Sequence, residues 1–376
     1  HFASTATSGA YSHDLEELNV TLHKIWLNDS DFDKFAAILD PDIVVFDRFM
    51  VEEQFGWRII EACPHALRIL DTEDLHGLRN ARAEAHKKKV SFSKDFLIND
   101  IAKREIASVY RCDLTLIISE FEMKLLHDFY KVPQSLLVYL PFMVNKLTDA
   151  DISSWNSFEN RTDFMTIGNF RHLPNYDMVL YLKTAIWPLI RKALPEAKLN
   201  IYGAYPPEKV KQLHNPKEGF IVQGHVKSSK EVFLKARVCL AALRSGAGLK
   251  GKILEAMECG TPCVATSIGA EGMYGDQDNT MPVEDTPEGF AQAAIDLYVN
   301  KYEWENVQKN GIEVINSRFE KEKWSRTLTE RLDYSSENLK IHRLNNFTGF
   351  LLQHQSLQAT KYMSKWIEEK NKKQNL

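Results

Sequence analysis

Ala241-Ala-Leu-Arg-Ser-Gly-Ala-Gly-Leu-Lys-Gly-Lys-Ile-Leu-Glu-Ala-Met-Glu-Cys-Gly-Thr-Pro-Cys-Val-Ala-Thr266 is the stretch on which the fold turns. It starts inside an apolar run of strand length, residues 238–243, and enters a loop carrying Gly246, Gly248 and Gly251. Residues 252–259 read as a short helix with Ile253, Leu254 and Met257 as its apolar positions. Gly260 stands where a left-handed C-terminal cap is expected. Thr261-Pro262 stops the helix, and residues 262–266 read as the next strand.

Charge makes this unit informative. Arg244, Lys250 and Lys252 crowd the start of the helix, which already carries partial positive charge and unpaired N–H groups. Each cation there costs about 0.3–1 kcal/mol unless an anion sits among them. A phosphate or diphosphate resolves the conflict, because a glycine-rich loop leading into a helix N-terminus is an anion site. Glu255, one turn after Lys252, is placed to accept hydrogen bonds from sugar or ribose hydroxyls. The plainer alternative is a strand–loop–helix unit in which Lys252 and Glu255 pair at i,i+3.

The same alternation extends outward in both directions. In the first half, residues 40–46, 66–70, 113–118 and 136–140 read as strands. Residues 51–62, 79–90 and 95–111 read as helices, and Ser119 with Glu122 forms a capping box for another. Residues 1–4 read as the end of a strand. Residues 146–162 turn polar and irregular and make the best linker. The pattern restarts with strands at 163–167, 197–202 and 220–223 and a long helix at 176–193. The expected fold is α/β, two doubly wound Rossmann-like domains facing across a cleft, 1–145 and 163–330. A helical extension, 331–376, packs back on the body, with Leu351, Leu357, Tyr362, Met363 and Trp366 as its apolar positions. Ligands of such sheets sit outside the C-terminal strand ends. The loops at 71–77, 168–175, 203–207, 224–227 and 244–252 then share one cleft.

Composition bounds the function. The 376 residues carry a net charge of −4, so no global basic field points to nucleic acid. The five cysteines, Cys63, Cys112, Cys239, Cys259 and Cys263, are odd in number and form no CxxC, which favours a reducing compartment. No apolar run approaches the ~18 residues of a membrane span. Asp-x-Asp triplets at Asp29/Asp31/Asp33, Asp149/Asp151 and Asp276/Asp278 follow no convincing strand and read as turn chemistry, so no metal is expected.

Gly246-Ala-Gly-Leu-Lys-Gly-Lys-Ile-Leu-Glu-Ala-Met257, then Gly260-Thr-Pro-Cys-Val-Ala-Thr266 and Ile268-Gly-Ala-Glu-Gly272, closely resembles the donor-site signature of GT-B glycosyltransferases, family 4. The resemblance is close over roughly residues 160–330, looser over 40–145 and absent at the C-terminal end. It implies that Arg171, Arg244, Lys250, Lys252 and Gly248 hold the donor diphosphate, Glu255 the ribose or sugar, and His225 and Val226 the base. It places acceptor-side or catalytic groups in the polar loop containing Asp74, with Asp71, Glu73 and His76 as the candidates. The alternative for that loop is a helix N-cap, with Asp71 or Thr72 as the cap.

There are departures from the family pattern. Relatives carry Arg and Lys where Asn169 and Pro174 stand, and Glu where Ala247 stands. A strand and glycine-rich loop normally precede the region matching residues 1–4. The implied activity is retaining, metal-independent and cofactor-free transfer of a sugar from a nucleotide-diphosphate donor to a hydroxyl of a glycan, lipid-linked or small-molecule acceptor. The implied location is cytoplasmic, free or peripheral at a membrane. Two alternatives stay open: a non-catalytic or incomplete nucleotide-sugar-binding module, and a GT-B nucleotide-sugar epimerase. A dinucleotide oxidoreductase is disfavoured, because no acidic residue ends a strand ~20 residues after the glycines.

Overall fold

The computed structural model describes residues 1–7, 9, 12, 14–275 and 281–374, with the backbone alone at 355–358, 373 and 374. Two parallel sheets organise it. The first has the order β3-β4-β5-β6, from Ile43–Asp47, Leu67–Asp71, Leu114–Ile117 and Leu137–Tyr139. A separate parallel pair, β1 (Phe2–Ser4) and β2 (Leu22–Lys24), precedes it. The second sheet has the order β11-β10-β7-β8-β9, from Thr162–Ile167 (β7), Leu199–Tyr202 (β8), Phe220–Gly224 (β9), Ala236–Ala241 (β10) and Cys263–Ala265 (β11).

Runs of buried apolar residues make these strands. β7, β8 and β10 contribute Phe164, Met165, Leu199, Ile201, Val238, Cys239 and Leu240, all inaccessible to solvent. A strand apolar along its whole length is covered on both faces, as parallel sheets require. The first sheet meets the same need in two ways. Its own crossover helices cover one face, around Phe46, Leu70, Leu78 and Ile117. The C-terminal helices cover the other, where Leu332 and Leu339 pack on Leu67, Ile69, Leu114 and Val138. The chain crosses back beside Val144, whose N–H donates to the Phe319 carbonyl and whose carbonyl accepts from Lys321.

Several local expectations are corrected. Ser119 makes no side-chain cap bond to the helix Glu120–Asp128, and Glu122 bonds elsewhere. Residues 146–162, expected to be irregular, carry some regular structure. Thr148 and Asp151 form a capping box on a short helix, Asp149–Ser153. Arg161 is buried and donates to Asn156, Phe233, Cys259 and Thr261. The C-terminal helix Phe347–Gln374 docks, but by a polar face. Gln353 bonds the Arg111 carbonyl, Ser364 bonds Asn28, and Glu368 pairs with Arg58. Leu351, Tyr362, Met363 and Trp366 are exposed instead, because the buried Arg58 and the free carbonyl at the helix end Arg111 demand polar partners. Leu357 lies outside the described side chains.

Candidate functional site

The C-terminal ends of β7, β8, β9 and β10 open on a cavity of about 530 Å³ between the two sheets. Its floor is Gly168, Asn169 and Asn175 after β7, Gly203 and Ala204 after β8, and His225, Val226 and Lys227 after β9. One wall is the glycine loop and helix start, residues 245–247 and 249–252, with Glu255; Gly248, expected at the diphosphate, does not line it. Asp74 and Arg79 of the first domain close the other side. The cleft therefore sits outside the carboxyl ends of the strands, where doubly wound sheets bind ligands.

The helix Gly251–Glu258 aims its N-terminus at this cavity, and no side chain among the described residues caps it. Lys250 at its N-cap and Lys252 in its first turn are both buried. Lys250 donates from Nζ to the carbonyls of Ala247 (3.0 Å) and Gly248 (2.5 Å). Lys252 donates to Asn175 Oδ1 at 2.8 Å, in the first turn of the helix Leu173–Tyr181 that follows β7. Burial lowers both ammonium groups to about 8, partly countered at Lys250 by Glu271 and Glu122. One oxygen of Glu255, Oε2, is buried with no hydrogen-bond partner among the described residues, an acceptor held ready beside the lysines.

The two arginines are placed differently. Arg244 forks onto Asp177, at 3.0 and 2.6 Å, and lies over the Tyr181 ring, outside the cavity lining. Arg171 is exposed, with its guanidinium 3.6 Å from the Tyr205 ring centre. Neither touches the cavity, whereas Asn169 and Pro174 both line it. His225 and Val226 line the cavity together after β9, where Gly224 bends the chain.

The first-domain loop sends one carboxylate into the cavity, and it is Asp74. The Asp74 N–H bonds the Thr72 carbonyl at 2.7 Å, a three-residue turn that holds Glu73 at φ +60°. A non-glycine residue held there stores backbone strain, and such strain collects at functional sites. Arg79 donates to Asp74 Oδ2 at 2.9 Å, while Oδ1 is buried without a hydrogen bond from the described residues. Asp71, Glu73 and His76 do not line the cavity. Asp71 accepts the Glu73 N–H at 3.2 Å, and burial raises the carboxyls of both. His76 is buried against Phe49, and desolvation, then Arg79, lowers it to about 4. It is neutral at pH 7, so its 3.5 Å approach to Asp74 is no ion pair.

The helix-cap alternative for this loop does not form. The helix His76–Lys88 presents its first N–H groups to carboxylates from other helices. Glu105 accepts from His76 (2.8 Å) and Gly77 (2.9 Å), and Glu122 accepts from Leu75 (3.0 Å). Burial raises Glu105 to about 8 and Glu122 to about 7. Arg79, His172 and Asn175 line the cavity without having been singled out from the sequence, and Asp74 was named there only as a member of the polar loop. Nothing in spacing tells which of that loop's four polar side chains a strained turn exposes.

Among the described residues no group of three or more His, Cys, Asp or Glu side chains is arranged to hold a metal. Asp31 pairs with Lys34, Asp33 with Arg58, and Asp151 caps its helix. Asp276 and Asp278 lie outside the described residues. Among those residues no helix is long and apolar enough to cross a membrane.

Residues 161–300 match the family described as glycosyl transferases group 1. No curated protein sequence matches the chain. Solved structures do, at low identity. A point mutant of S. aureus TarM, solved with UDP, Fondaparinux and alpha-GlcNAc-glycerol, is 14% identical with a TM-score of 0.61; the match covers 80% of this chain but only 58% of TarM. HepE of Anabaena, in complex with UDP, is 13% identical with a TM-score of 0.63 over 85% of this chain and 88% of HepE. The pneumococcal O-GlcNAc transferase GtfA, in complex with UDP and GlcNAc, is 16% identical with a TM-score of 0.60, covering 81% of this chain and 59% of GtfA.

Proposed function

We propose that the protein transfers a sugar from a nucleoside diphosphate sugar to an acceptor hydroxyl, because residues 161–300 match the group 1 glycosyl transferases and the chain shares its fold with solved glycosyltransferase structures. One observation supports this most. Two buried lysines and an uncapped helix N-terminus meet at a cavity whose opposite wall offers a spare carboxylate oxygen.

In this reading Lys250, Lys252 and the N–H groups of the glycine loop and helix start receive the diphosphate. Glu255 Oε2 accepts from ribose or sugar hydroxyls, and the strand-end backbone at His225 and Val226 frames the base. The charge that grows on the departing diphosphate is met by the chain's own lysines and helix terminus rather than by a metal ion. Asp74, fixed by Arg79, accepts a hydroxyl proton or hydrogen bond from the sugar or the acceptor. Retention at the anomeric carbon belongs to the proposal by resemblance. Arg244 and Arg171 take no first-hand part unless the loops move, since Asp177 and Tyr205 already engage them.

The test is a thermal-shift panel of UDP, GDP, ADP, dTDP and NAD with the wild type, Lys252→Ala and Asp74→Asn, followed by turnover with and without EDTA. A ligand at ~100 times its dissociation constant adds about 2.7 kcal/mol of stability. One nucleoside diphosphate is expected to stand out, Lys252→Ala to lose that shift, and Asp74→Asn to keep it while losing turnover. A response to NAD alone would sink the transferase reading. Nucleotide binding with no transfer in any acceptor mixture would favour a binding module, the alternative suggested by Ala247.

A further inference from the structure

The glycine loop is held from the far side of the cleft. Glu122, on the first domain's helix Glu120–Asp128, is inaccessible to solvent. Its Oε1 accepts two backbone N–H groups, one from each domain, Leu75 at 3.0 Å and Gly248 at 2.8 Å. Two residues back along the loop, the Gly246 carbonyl accepts from Arg82 Nη1 at 2.9 Å. Arg82 belongs to the first domain's helix His76–Lys88 and is itself fixed by a fork onto Glu271, at 2.8 and 2.6 Å. Residues 246–248 are thus pinned at both ends by side chains of the other domain.

The arrangement is costly unless the loop's shape matters. Glu122 Oε2 is buried with no partner among the described residues, and so is the hydroxyl of Ser119, which Glu122 could have joined in a local cap. Buried polar groups left unbonded cost free energy. The loop also lies hard against the first domain. Gly248 has φ +64°, and a Cβ there would stand 2.8 Å from the Asp74 Cβ. Neither Glu122 nor Arg82 lines the cavity.

We propose that Glu122 and Arg82 are positioning residues that hold the glycine loop in its anion-binding shape, so the donor site is complete only when the two domains are joined. The inference rests on the donor reading given above. It makes the first domain a determinant of nucleotide affinity without touching the nucleotide. Because Lys250 bonds the carbonyls of Ala247 and Gly248, a released loop also releases the ammonium group.

Calorimetric titration of the full chain with UDP, GDP, ADP and dTDP tests it, alongside unfolding curves for every variant. Glu122→Ala and Arg82→Ala should each weaken the preferred nucleotide by about tenfold. The double variant should be little weaker than the worse single one, because both pins serve one loop. Glu122→Gln should restore affinity to within about threefold, its amide oxygen accepting both N–H groups. A purely structural role would lower stability and leave affinity unchanged in the folded protein. Folded Glu122→Ala and Arg82→Ala with wild-type affinity, beside a weakened Lys252→Ala, would overturn this inference alone. If Glu122→Ala does not fold, Arg82→Ala with unchanged affinity overturns it equally. No nucleotide binding by the wild type would overturn the donor reading and this inference with it.

Discussion

Lys250 and Lys252 set the electrostatics of the cavity, and each is lowered to about 8 chiefly by burial. An anion binds the protonated ammonium, so nucleotide affinity should fall as pH rises through 8 to 9. The bound diphosphate in turn favours the charged form, so binding near pH 8.5 should take up protons. Titrations at that pH in buffers of different ionisation enthalpy will show the uptake; proton release or no linkage would contradict the assignment. For folding the sign is reversed. A lysine whose folded value is depressed prefers the neutral form in the native state. These two therefore weaken the fold at neutral pH and weaken it less as pH rises from about 8 toward the unfolded lysine value. His76, lowered to about 4, adds no proton switch near neutrality.

Among the secondary-structure elements, the glycine-loop unit is the one most legible in the sequence. The observed helix is Gly251–Glu258, flanked by β10 and β11, and Gly260 adopts φ +58° at its end. The reasons are local: an apolar run, a glycine loop and a proline stop. A second duty of Gly260 is not written there. A Cβ at Gly260 would collide with the Trp155 indole, contributed by the segment 146–162. Gly260→Ala should therefore cost more than the ordinary left-handed penalty of about 1 kcal/mol, reaching about 2–4 kcal/mol with overpacking. Urea unfolding of the two proteins measures this. A loss below ~1 kcal/mol would mean that Trp155 moves aside freely. The expected capping box at Ser119 does not form for a related reason. The motif Ser-x-x-Glu is local, but a buried backbone N–H on another domain competes for the same carboxylate and wins.

Across the full chain, the C-terminal helices bind the first sheet through a few strong polar contacts. Arg343 donates to Asp113 and to the carbonyls of Pro64 and Ala66, and Asp113 also receives Arg68. These bonds, with burial opposing them, hold the Asp113 carboxyl below its ordinary value. A depressed carboxyl contributes stability above its unfolded value, which is lost as pH falls through the folded one. Arg343→Ala should lower stability by about 2–3 kcal/mol at pH 7, and by less in acid as Asp113 protonates. Denaturant melts at pH 7 and pH 3 check it. An equal loss at both would show that the carbonyl contacts alone matter.

The α/β alternation, the parallel sheets and the glycine-loop unit at 246–257 can all be read from the amino-acid order, because each is written in contiguous residues with their own periodicity, glycines and charges. Which side chains face the cleft is settled by the packing of the two domains. Asp74 rather than Asp71, Glu73 or His76 enters it, Arg244 turns to Asp177, and Glu122 crosses to Gly248. A side chain's direction depends on partners distant in sequence. A carboxylate or guanidinium goes to the buried group that most needs it, and such groups become neighbours only when the two domains meet.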